Sequence, residues 1–208
     1  MTRLALIDYG MGNLLSVRKA FEREGAACEL LASPRPFSDC DGILLPGVGA
    51  FADAMAQLRA AGWVEWIGEA VSSGKPFLGI CLGMQLLFSS SEEDGDHAGL
   101  GLIPGKVVRF PDRPGFHVPH MGWNQLEFPR PGVLFAGVAP GAHVYFVHSY
   151  YPVPDDPGVV AAVTDYGGPV AAAVERGNVF GVQFHPEKSQ AVGLRIVANF
   201  VGVCGGGR

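Results

Sequence analysis

The chain has 208 residues, of which 48% are hydrophobic and 17% charged, and its formal net charge is -5. This length and apolar content suffice for one buried core, so we expect a single domain over residues 1–208. The acidic balance and the lack of any Lys/Arg run argue against a nucleic-acid backbone or an anionic membrane as the main partner. No apolar run approaches the roughly 20 residues of a membrane-spanning helix, and the N-terminal residues do not resemble a signal peptide. We therefore expect a cytoplasmic location.

The first half of the sequence alternates between strand and helix patterns. Residues 3–7 form an apolar run that predicts a strand, and Asn13 is placed to cap a helix over 14–24. The same patterns predict two further strands and two further helices, namely strands over 29–31 and 42–45 and helices over 51–60 and 63–73. Such alternation implies parallel strand pairing.

Residues 79–83, Gly-Ile-Cys-Leu-Gly, follow the apolar run 76–78 and predict a strand that ends in a sharp turn. A turn with small residues two positions either side of a nucleophile lifts the reactive atom above the sheet edge. We expect a helix over 84–88 and a polar loop over 89–99.

The second half is predicted to consist of short strands and one final helix. The strands are expected over 106–110, 124–128, 143–151, 159–164, 170–175 and 179–184, and the helix over 190–201. The pairs Gly167-Gly168 and Gly177-Asn178 indicate hairpins between the later strands. The fold class is therefore α/β, flavodoxin-like, with a mixed, mostly parallel central sheet, helices on both faces and additional antiparallel strands.

Cys81 lies at the centre of the predicted turn, and His185-Pro186-Glu187 supplies a base and a carboxylate two positions apart. A free thiol with a pKa of about 8.5 needs a nearby base, cation or helix N-terminus to act as a nucleophile at neutral pH. Proline after His185 favours extended backbone, in which residues 185 and 187 project to the same side. We therefore predict a triad of Cys81, His185 and Glu187, with Glu187 orienting the imidazole ring.

An oxyanion site is predicted at the same sheet edge. The loop 46–49, Pro-Gly-Val-Gly, also follows a strand, and open α/β sheets bind ligands at that edge. The backbone N–H groups of Val48 and Leu82 are the predicted oxyanion donors. Cys28, Cys40 and Cys204 are expected to be inert packing residues, and no metal-ligand spacing occurs, so we expect no metal and no cofactor.

Six segments of the sequence resemble those of the class I (triad) glutamine amidotransferases, and within them the branch of glutaminase subunits of imidazole glycerol phosphate synthase. They span nearly the whole chain and comprise residues 8–13 (Asp-Tyr-Gly-Met-Gly-Asn), 45–49 (Leu-Pro-Gly-Val-Gly), 79–85 (Gly-Ile-Cys-Leu-Gly-Met-Gln), 118–124 (Val-Pro-His-Met-Gly-Trp-Asn), 145–150 (Tyr-Phe-Val-His-Ser-Tyr) and 183–189 (Gln-Phe-His-Pro-Glu-Lys-Ser). The segments around Cys81 and His185 mark the superfamily. The segment 118–124 and the Gly-Val-Gly loop point to this branch.

The resemblance implies that Cys81 attacks the side-chain amide of L-glutamine, that His185 protonates the departing ammonia, and that water hydrolyses the thioester to glutamate. It also implies the oxyanion role of Val48 and Leu82. The residues that it assigns to glutamine binding are Gly47, Gly49, Gln85, Glu93, Ser149 and Tyr150. Because Glu92 adjoins Glu93, either one is open as the substrate contact at this stage.

The resemblance further implies a heterodimer in which ammonia passes to a (β/α)₈-barrel cyclase subunit. The interface residues that it suggests are Asn13, His120, Met121, Trp123 and Lys188, and Trp and Met are types favoured at interfaces. Glycines on both sides of Val48 motivate the hypothesis that this peptide points its N–H into the site only when the loaded partner is bound.

Three alternatives stay open from the sequence. A glutaminase that feeds another barrel, such as the one of pyridoxal phosphate synthesis, would share the triad, although the segment 118–124 argues against it. A γ-glutamyl hydrolase or cysteine peptidase would be active without a partner. A non-catalytic, redox-sensing domain would use Cys81 only as an oxidisable thiol, which the presence of His185 and Glu187 disfavours.

Overall fold

The computed structural model describes residues 1–115 and 117–206. Its first half contains strands and helices in alternation: β1 Arg3–Ile7, α1 Leu14–Arg23, β2 Ala27–Leu31, β3 Gly42–Gly47, α2 Phe51–Ala60, α3 Trp63–Ser72, β4 Phe77–Cys81 and the single-turn α4 Leu82–Gln85. The predicted strands and the helices α1 to α3 are confirmed with small differences at their ends. The side chain of Asn13 caps α1 by accepting a hydrogen bond from the Ser16 N–H at 3.4 Å.

The second half contains mainly strands: β5 Phe88–Ser91, β6 His97–Ala98, β7 Ile103–Arg109, β8 His120–Leu126, β9 Ala142–His148, β10 Tyr150–Pro154, β11 Val160–Asp165, β12 Pro169–Arg176 and β13 Val179–Val182. The last helix, α5, spans Gln190–Gly205 and so extends beyond its predicted end at residue 201. Among the described helices, none is long and apolar enough to cross a membrane.

A seven-stranded sheet in the order β11-β12-β13-β4-β3-β1-β2 forms the centre of the fold. The strands from β13 to β2 are parallel, whereas β12 pairs antiparallel with both β13 and β11. The predicted mixed, mostly parallel sheet and its two hairpins are confirmed. Because β3, β4 and β13 are parallel neighbours, the loops after them meet at one edge of the sheet.

Alternate residues of the strands pack against helices on opposite faces of this sheet. In β1, Leu6 belongs to a buried cluster with Phe21 of α1 and Phe200 of α5. Ile7 belongs instead to a cluster with Trp63 of α3 and residues of α2. A parallel sheet covered on both faces needs such two-sided apolar strands, which explains the nearly continuous hydrophobic runs in β1, β3 and β4.

Two predictions around residue 88 were wrong. The helix expected over 84–88 ends at Gln85, and the expected loop 89–99 contains β5 and β6. Leu86, Leu87 and Phe88 are all fully buried, and a continuously buried apolar run fits a helix or a strand equally well. Phe88 is in a strand because β5 forms hydrogen bonds with β7, beginning with the pair Phe88 and Ile103.

The single strand predicted over 143–151 is divided into β9 and β10 at Ser149. β9 pairs antiparallel with β8 to form a two-stranded ribbon, whereas β10 pairs antiparallel with β7 in a separate four-stranded sheet, β10-β7-β5-β6. The chain must therefore change sheets between His148 and Tyr150. This break places the backbone of Ser149 next to the candidate site described below.

Candidate active site

Cys81 is the last residue of β4 and directly precedes α4, with φ +56° and ψ -112°. A positive φ is rare for a residue with a side chain, and such strain is typical of functional turns. Its glycine neighbours have no room for a side chain. A Cβ on Gly83 would lie 1.8 Å from the carbonyl oxygen of Leu45, and a Cβ on Gly79 would lie 2.4 Å from that of Gly83. The predicted sharp turn is therefore present, and tight backbone packing holds it.

His185 and Glu187 meet Cys81 at the same sheet edge because β13, which precedes them, pairs in parallel with β4. The Nδ1 atom of His185 lies 2.8 Å from Oε1 of Glu187, and both side chains are almost fully buried. Both His185 and Cys81 line one pocket. The contact with a carboxylate makes Nδ1 the donor, which leaves Nε2 as the basic ring atom.

The protonation state of His185 follows from its neighbours. Burial lowers its pKa, but the interactions with Cys81 and Glu187 outweigh burial and raise the pKa to about 9. The described residues form no hydrogen bond to Nε2, and Cys81 is one of the two groups that raise the His185 pKa. A protonated imidazole beside the sulfur stabilises a thiolate and can donate a proton to a leaving group.

The pocket at this edge has a volume of about 420 Å³, a size suited to a small molecule. The predicted site residues that line it are Val48, Gly49, Cys81, Leu82, Gln85, Glu93, Ser149, Tyr150 and His185. Sequence reasoning missed three further lining residues, Pro119, Val147 and His148. All three lie in segments that carried the family resemblance, so their neighbours in sequence were the available signal.

Gln85 and Glu93 present acceptor oxygens to this pocket. Gln85 donates hydrogen bonds to the carbonyl of Tyr150 and to Oε1 of Gln183, which leaves its own carbonyl oxygen to meet a ligand. Oε2 of Glu93 accepts from the N–H of Phe51 at 2.7 Å, and burial raises the pKa of the Glu93 carboxyl. Such acceptors suit the ammonium group of an amino acid.

Glu92 does not line the pocket, because its carboxylate accepts instead from the N–H of Arg109. Gly47 does not line it either. Gly47 is buried beside the turn, where a Cβ would lie 2.6 Å from the hydroxyl of Tyr9. Val48 and Leu82 follow the paired residues Gly47 and Cys81 of β3 and β4, and both line the pocket. Their oxyanion role stays a prediction.

Four of the five predicted interface residues are exposed, namely Asn13, Met121, Trp123 and Lys188. Trp123 and Lys188 both contact the ring of Tyr145: the Trp123 ring centroid lies 6.1 Å away and Lys188 Nζ lies 5.8 Å away. These residues form one outer surface, which we call the ribbon face and define as Met121, Trp123, Tyr145 and Lys188.

His120 does not belong to the ribbon face, and its prediction as a surface contact needs correction. Its side chain is only 3% exposed and lies 3.0 Å from His148, on the inner side of the ribbon. Successive residues of a strand point to opposite sides, so Met121 and Trp123 face outward while His120 and Asn124 face inward. The sequence segment was identified, but the side of the strand was not.

The other three cysteines differ from Cys81 in their surroundings. Burial raises the pKa of the Cys28 and Cys204 thiols to about 12 and also raises that of Cys40. Thiols with such pKa values are weakly nucleophilic at neutral pH, in line with the packing role predicted for them. Within residues 1–115 and 117–206, no group of His, Cys, Asp and Glu is arranged to hold a metal ion.

Burial of His120 and His148 predicts acid sensitivity of the fold. Burial lowers the pKa of His120 to about 4 and that of His148 to about 3, below the usual value of 6.5. Between the lowered pKa values of the folded state and the usual value of 6.5, the unfolded chain binds more protons than the folded chain. The free energy of unfolding therefore falls as the pH falls below about 6.5. Replacing His120→Asn is expected to make this acid limb of the unfolding free energy shallower by about 1 kcal/mol per pH unit.

Urea titrations of both proteins between pH 4 and 8 measure this slope. An exposed histidine on the same ribbon, His143, provides the control, and His143→Asn is expected to retain the wild-type slope. Equal slopes for His120→Asn and the wild type would contradict a buried, neutral His120.

Comparison with known proteins agrees with the fold and identifies the family. A family model described as Glutamine amidotransferase class-I matches residues 5–203. The chain aligns with a structure entitled PurLQS from Thermotoga maritima at a TM-score of 0.77 and 21% identity, covering 97% of this chain and 98% of the other. A crystal structure of a glutamine amidotransferase aligns at 0.75 and 19% identity, with the same coverage. The chain belongs to the class-I glutamine amidotransferase family.

Within this family, the chain is similar to imidazole glycerol phosphate synthase subunit HisH. The HisH of Moorella thermoacetica is 56% identical over 200 residues, which cover 96% of this chain and 94% of the relative. The HisH of Syntrophotalea carbinolica is 57% identical over 202 residues, which cover 95% of this chain and 98% of the relative. The similarity thus extends over nearly the whole length of both chains.

Proposed function

We propose that this chain is the glutaminase subunit of imidazole glycerol phosphate synthase, an enzyme of histidine biosynthesis. It hydrolyses L-glutamine to glutamate and ammonia and supplies the ammonia to a (β/α)₈ cyclase subunit, which makes imidazole glycerol phosphate and aminoimidazole carboxamide ribotide. The observation that carries this proposal is the strained Cys81 turn beside the buried His185–Glu187 pair in one small pocket. The relatives named as HisH support the choice of pathway. We also propose one domain over 1–208 and a cytoplasmic location.

The proposed reaction uses the three buried side chains in sequence. The Cys81 sulfur attacks the δ-carbon of glutamine, and the N–H groups of Val48 and Leu82 meet the oxygen that gains negative charge. His185 gives its proton to the departing nitrogen, so ammonia leaves and a thioester forms. His185 then accepts a proton from water, which attacks the thioester and releases glutamate and the free thiol. Glu187 keeps the imidazole oriented throughout.

The proposed glutamine contacts are backbone and acceptor groups around the pocket. Gln85 and Glu93 would accept from the ammonium group, and Gly49, Ser149 and Tyr150 would contact the main part of the substrate. The buried Gly47 would act by allowing β3 to approach the turn closely, since a side chain there would meet Tyr9 and Leu82.

The proposed partner face is the ribbon face together with Asn13. We expect Trp123→Ala to weaken binding of the cyclase subunit by about 30-fold to 1,000-fold, because large, half-exposed aromatic residues dominate interface energies. Titration calorimetry of the two subunits measures the effect. Val133→Ala is the matched control, since Val133 is an exposed apolar residue outside this face, and it should bind like the wild type. Equal affinities for all three proteins would remove Trp123 from the interface.

Glutamine labelled with heavy nitrogen at its side-chain amide tests the whole proposal. The complex of this chain and a cyclase subunit, supplied with the labelled glutamine and the ribulosyl nucleotide substrate, should place the label in the imidazole ring of the product. Labelled ammonia without labelled product would favour the γ-glutamyl hydrolase or another barrel partner. Absence of labelled ammonia and labelled product would contradict glutaminase activity, and with it the triad.

A further inference from the structure

A buried hydrogen-bonded chain of side chains leads to the nucleophile, and the carbonyl oxygen of Tyr150 determines its direction. This oxygen lies 2.8 Å from Nδ1 of His148 and 2.9 Å from Nε2 of Gln85. A carbonyl can only accept, so both nitrogen atoms must be donors. Two arms of the chain therefore start from Tyr150 with fixed polarity.

The first arm leads from His148 to the inner side of β8. Because Nδ1 of neutral His148 is a donor, its Nε2 is an acceptor and receives the Nδ1–H of His120 at 3.0 Å. Nε2 of His120 then accepts from Nδ2 of Asn124 at 3.2 Å. The same Nδ2 donates to the carbonyl of Asp165, which independently assigns the nitrogen of the Asn124 amide to this position.

The second arm leads from Gln85 to Cys81. The Gln85 amide also donates to Oε1 of Gln183 at 3.0 Å, so the other end of the Gln183 amide is its NH₂ group. That group lies 3.8 Å from the sulfur of Cys81, with the sulfur as acceptor. Gln183 is fully buried and is not among the residues that line the pocket.

The side chains of this hydrogen-bonded chain are buried and neutral, and the Tyr150 carbonyl therefore fixes its polarity. Gln85, His120, His148 and Gln183 are all buried, and burial holds the pKa of each histidine far below neutral pH. A neutral imidazole has one donor and one acceptor nitrogen, and the contacts of the two rings described above use one of each. Hydrogen bonds buried in this way restrict the movement of the side chains that form them.

We propose that Gln183 is a further catalytic residue, which donates a hydrogen bond to the Cys81 thiolate, and that Gln85, His148 and His120 are positioning residues that orient the Gln183 amide. The proposal rests on the proposed function only in taking Cys81 as the nucleophile. A donor to the charged form of an acid favours that form, so Gln183 increases the thiolate fraction. It adds to His185, which acts on the same sulfur from the pocket side.

The pH dependence of Cys81 alkylation by iodoacetamide, followed by mass spectrometry of the peptide that contains Cys81, tests Gln183 in the full chain. Gln183→Met keeps the length of the side chain but has no N–H donor. We expect the midpoint of alkylation to rise by about one pH unit, which makes alkylation about tenfold slower below both midpoints. The titratable groups that interact with Cys81, His185 and Tyr9, are retained in this variant. An unchanged midpoint would overturn the role of Gln183.

A pair of His120 variants tests the positioning residues at a distance from the sulfur. His120→Phe leaves His148 without its donor, whereas His120→Asn retains a donor at the position of Nδ1. We expect His120→Phe to raise the midpoint in the same direction as Gln183→Met but by less, and His120→Asn to restore the wild-type value. His143→Phe, on the exposed side of β9, should have no effect. Equal midpoints for the two His120 variants would overturn the positioning role even if Gln183→Met does not fold.

Alkylation requires neither glutamine nor the cyclase subunit, so this test is independent of the proposed function. If the Gln183→Met and His120→Phe variants show the shifted alkylation midpoints but the wild type releases no glutamate, the glutaminase proposal is contradicted and the thiolate donor is established. If the wild type releases glutamate but the variants show no shift, the glutaminase proposal stands and the role of Gln183 as a thiolate donor is contradicted.

Discussion

Replacing Cys81 by alanine is expected to abolish glutamate release from glutamine while the complex with the cyclase subunit still forms imidazole glycerol phosphate from added ammonium. The alanine variant has no sulfur that can form the thioester, and Cys81 is the one cysteine among the described residues that line the pocket. The ammonium reaction needs only the partner's site and an intact docked complex. The variant should therefore lose the activity with glutamine and keep the activity with ammonium.

Parallel assays with glutamine and with ammonium measure this difference. Cys204→Ala is the matched control, because that thiol is also free but belongs to α5, and it should retain both activities. Retained glutamine hydrolysis in Cys81→Ala would contradict the triad. Loss of both activities would mean that the substitution disturbs folding or docking, which the melting temperature of the variant would reveal.

Replacing Gly83 by alanine is expected to destabilise the whole fold by about 3 kcal/mol or more. The added Cβ would lie 1.8 Å from the backbone oxygen of Leu45, so β3 and β4 would have to move apart at the centre of the sheet. Urea unfolding followed by circular dichroism measures the change. Net stabilities of about 5–15 kcal/mol leave little margin for such a loss, so low soluble yield is part of the expected result.

The control for this substitution is Gly68→Ala in α3. No atom lies within 4 Å of a Cβ built on Gly68, and alanine is the better helix former by about 0.5–1 kcal/mol. Gly68→Ala should therefore match or exceed the wild type in stability. Wild-type stability of Gly83→Ala would show that the turn after β4 can open without cost, against the packing described here.

The first three helices and the turn at Cys81 could be predicted because each depends on residues close together in the sequence. The helices α1 to α3 follow apolar periodicity and clear end signals, and the turn at Cys81 follows from its paired glycines. The approach of His185 to Cys81 was also predictable, since strands that alternate with helices place their following loops at one edge.

Other features depended on pairing that local sequence does not encode. The division of β9 from β10 at Ser149 arises because the two strands join different sheets. The run Leu86 to Phe88 is buried throughout, so its apolar pattern could not distinguish a helix from a strand. The burial of His120 depends on which face of the β8–β9 ribbon packs inward, and a single-residue change of register would have turned it outward. The contact of Gln183 with the sulfur follows from the same tertiary packing.

The release of glutamate from glutamine by the purified chain, first alone and then with a cyclase subunit and its ribulosyl nucleotide ligand, tests the central claim most directly. The N–H of Val48 is a predicted oxyanion donor, and its neighbour Gly49 has a φ of +95°, a backbone conformation that glycine adopts readily. We expect slow release by the chain alone and strong stimulation only in the loaded complex. Equally fast release without the partner would contradict a partner-dependent glutaminase subunit and favour a stand-alone γ-glutamyl hydrolase.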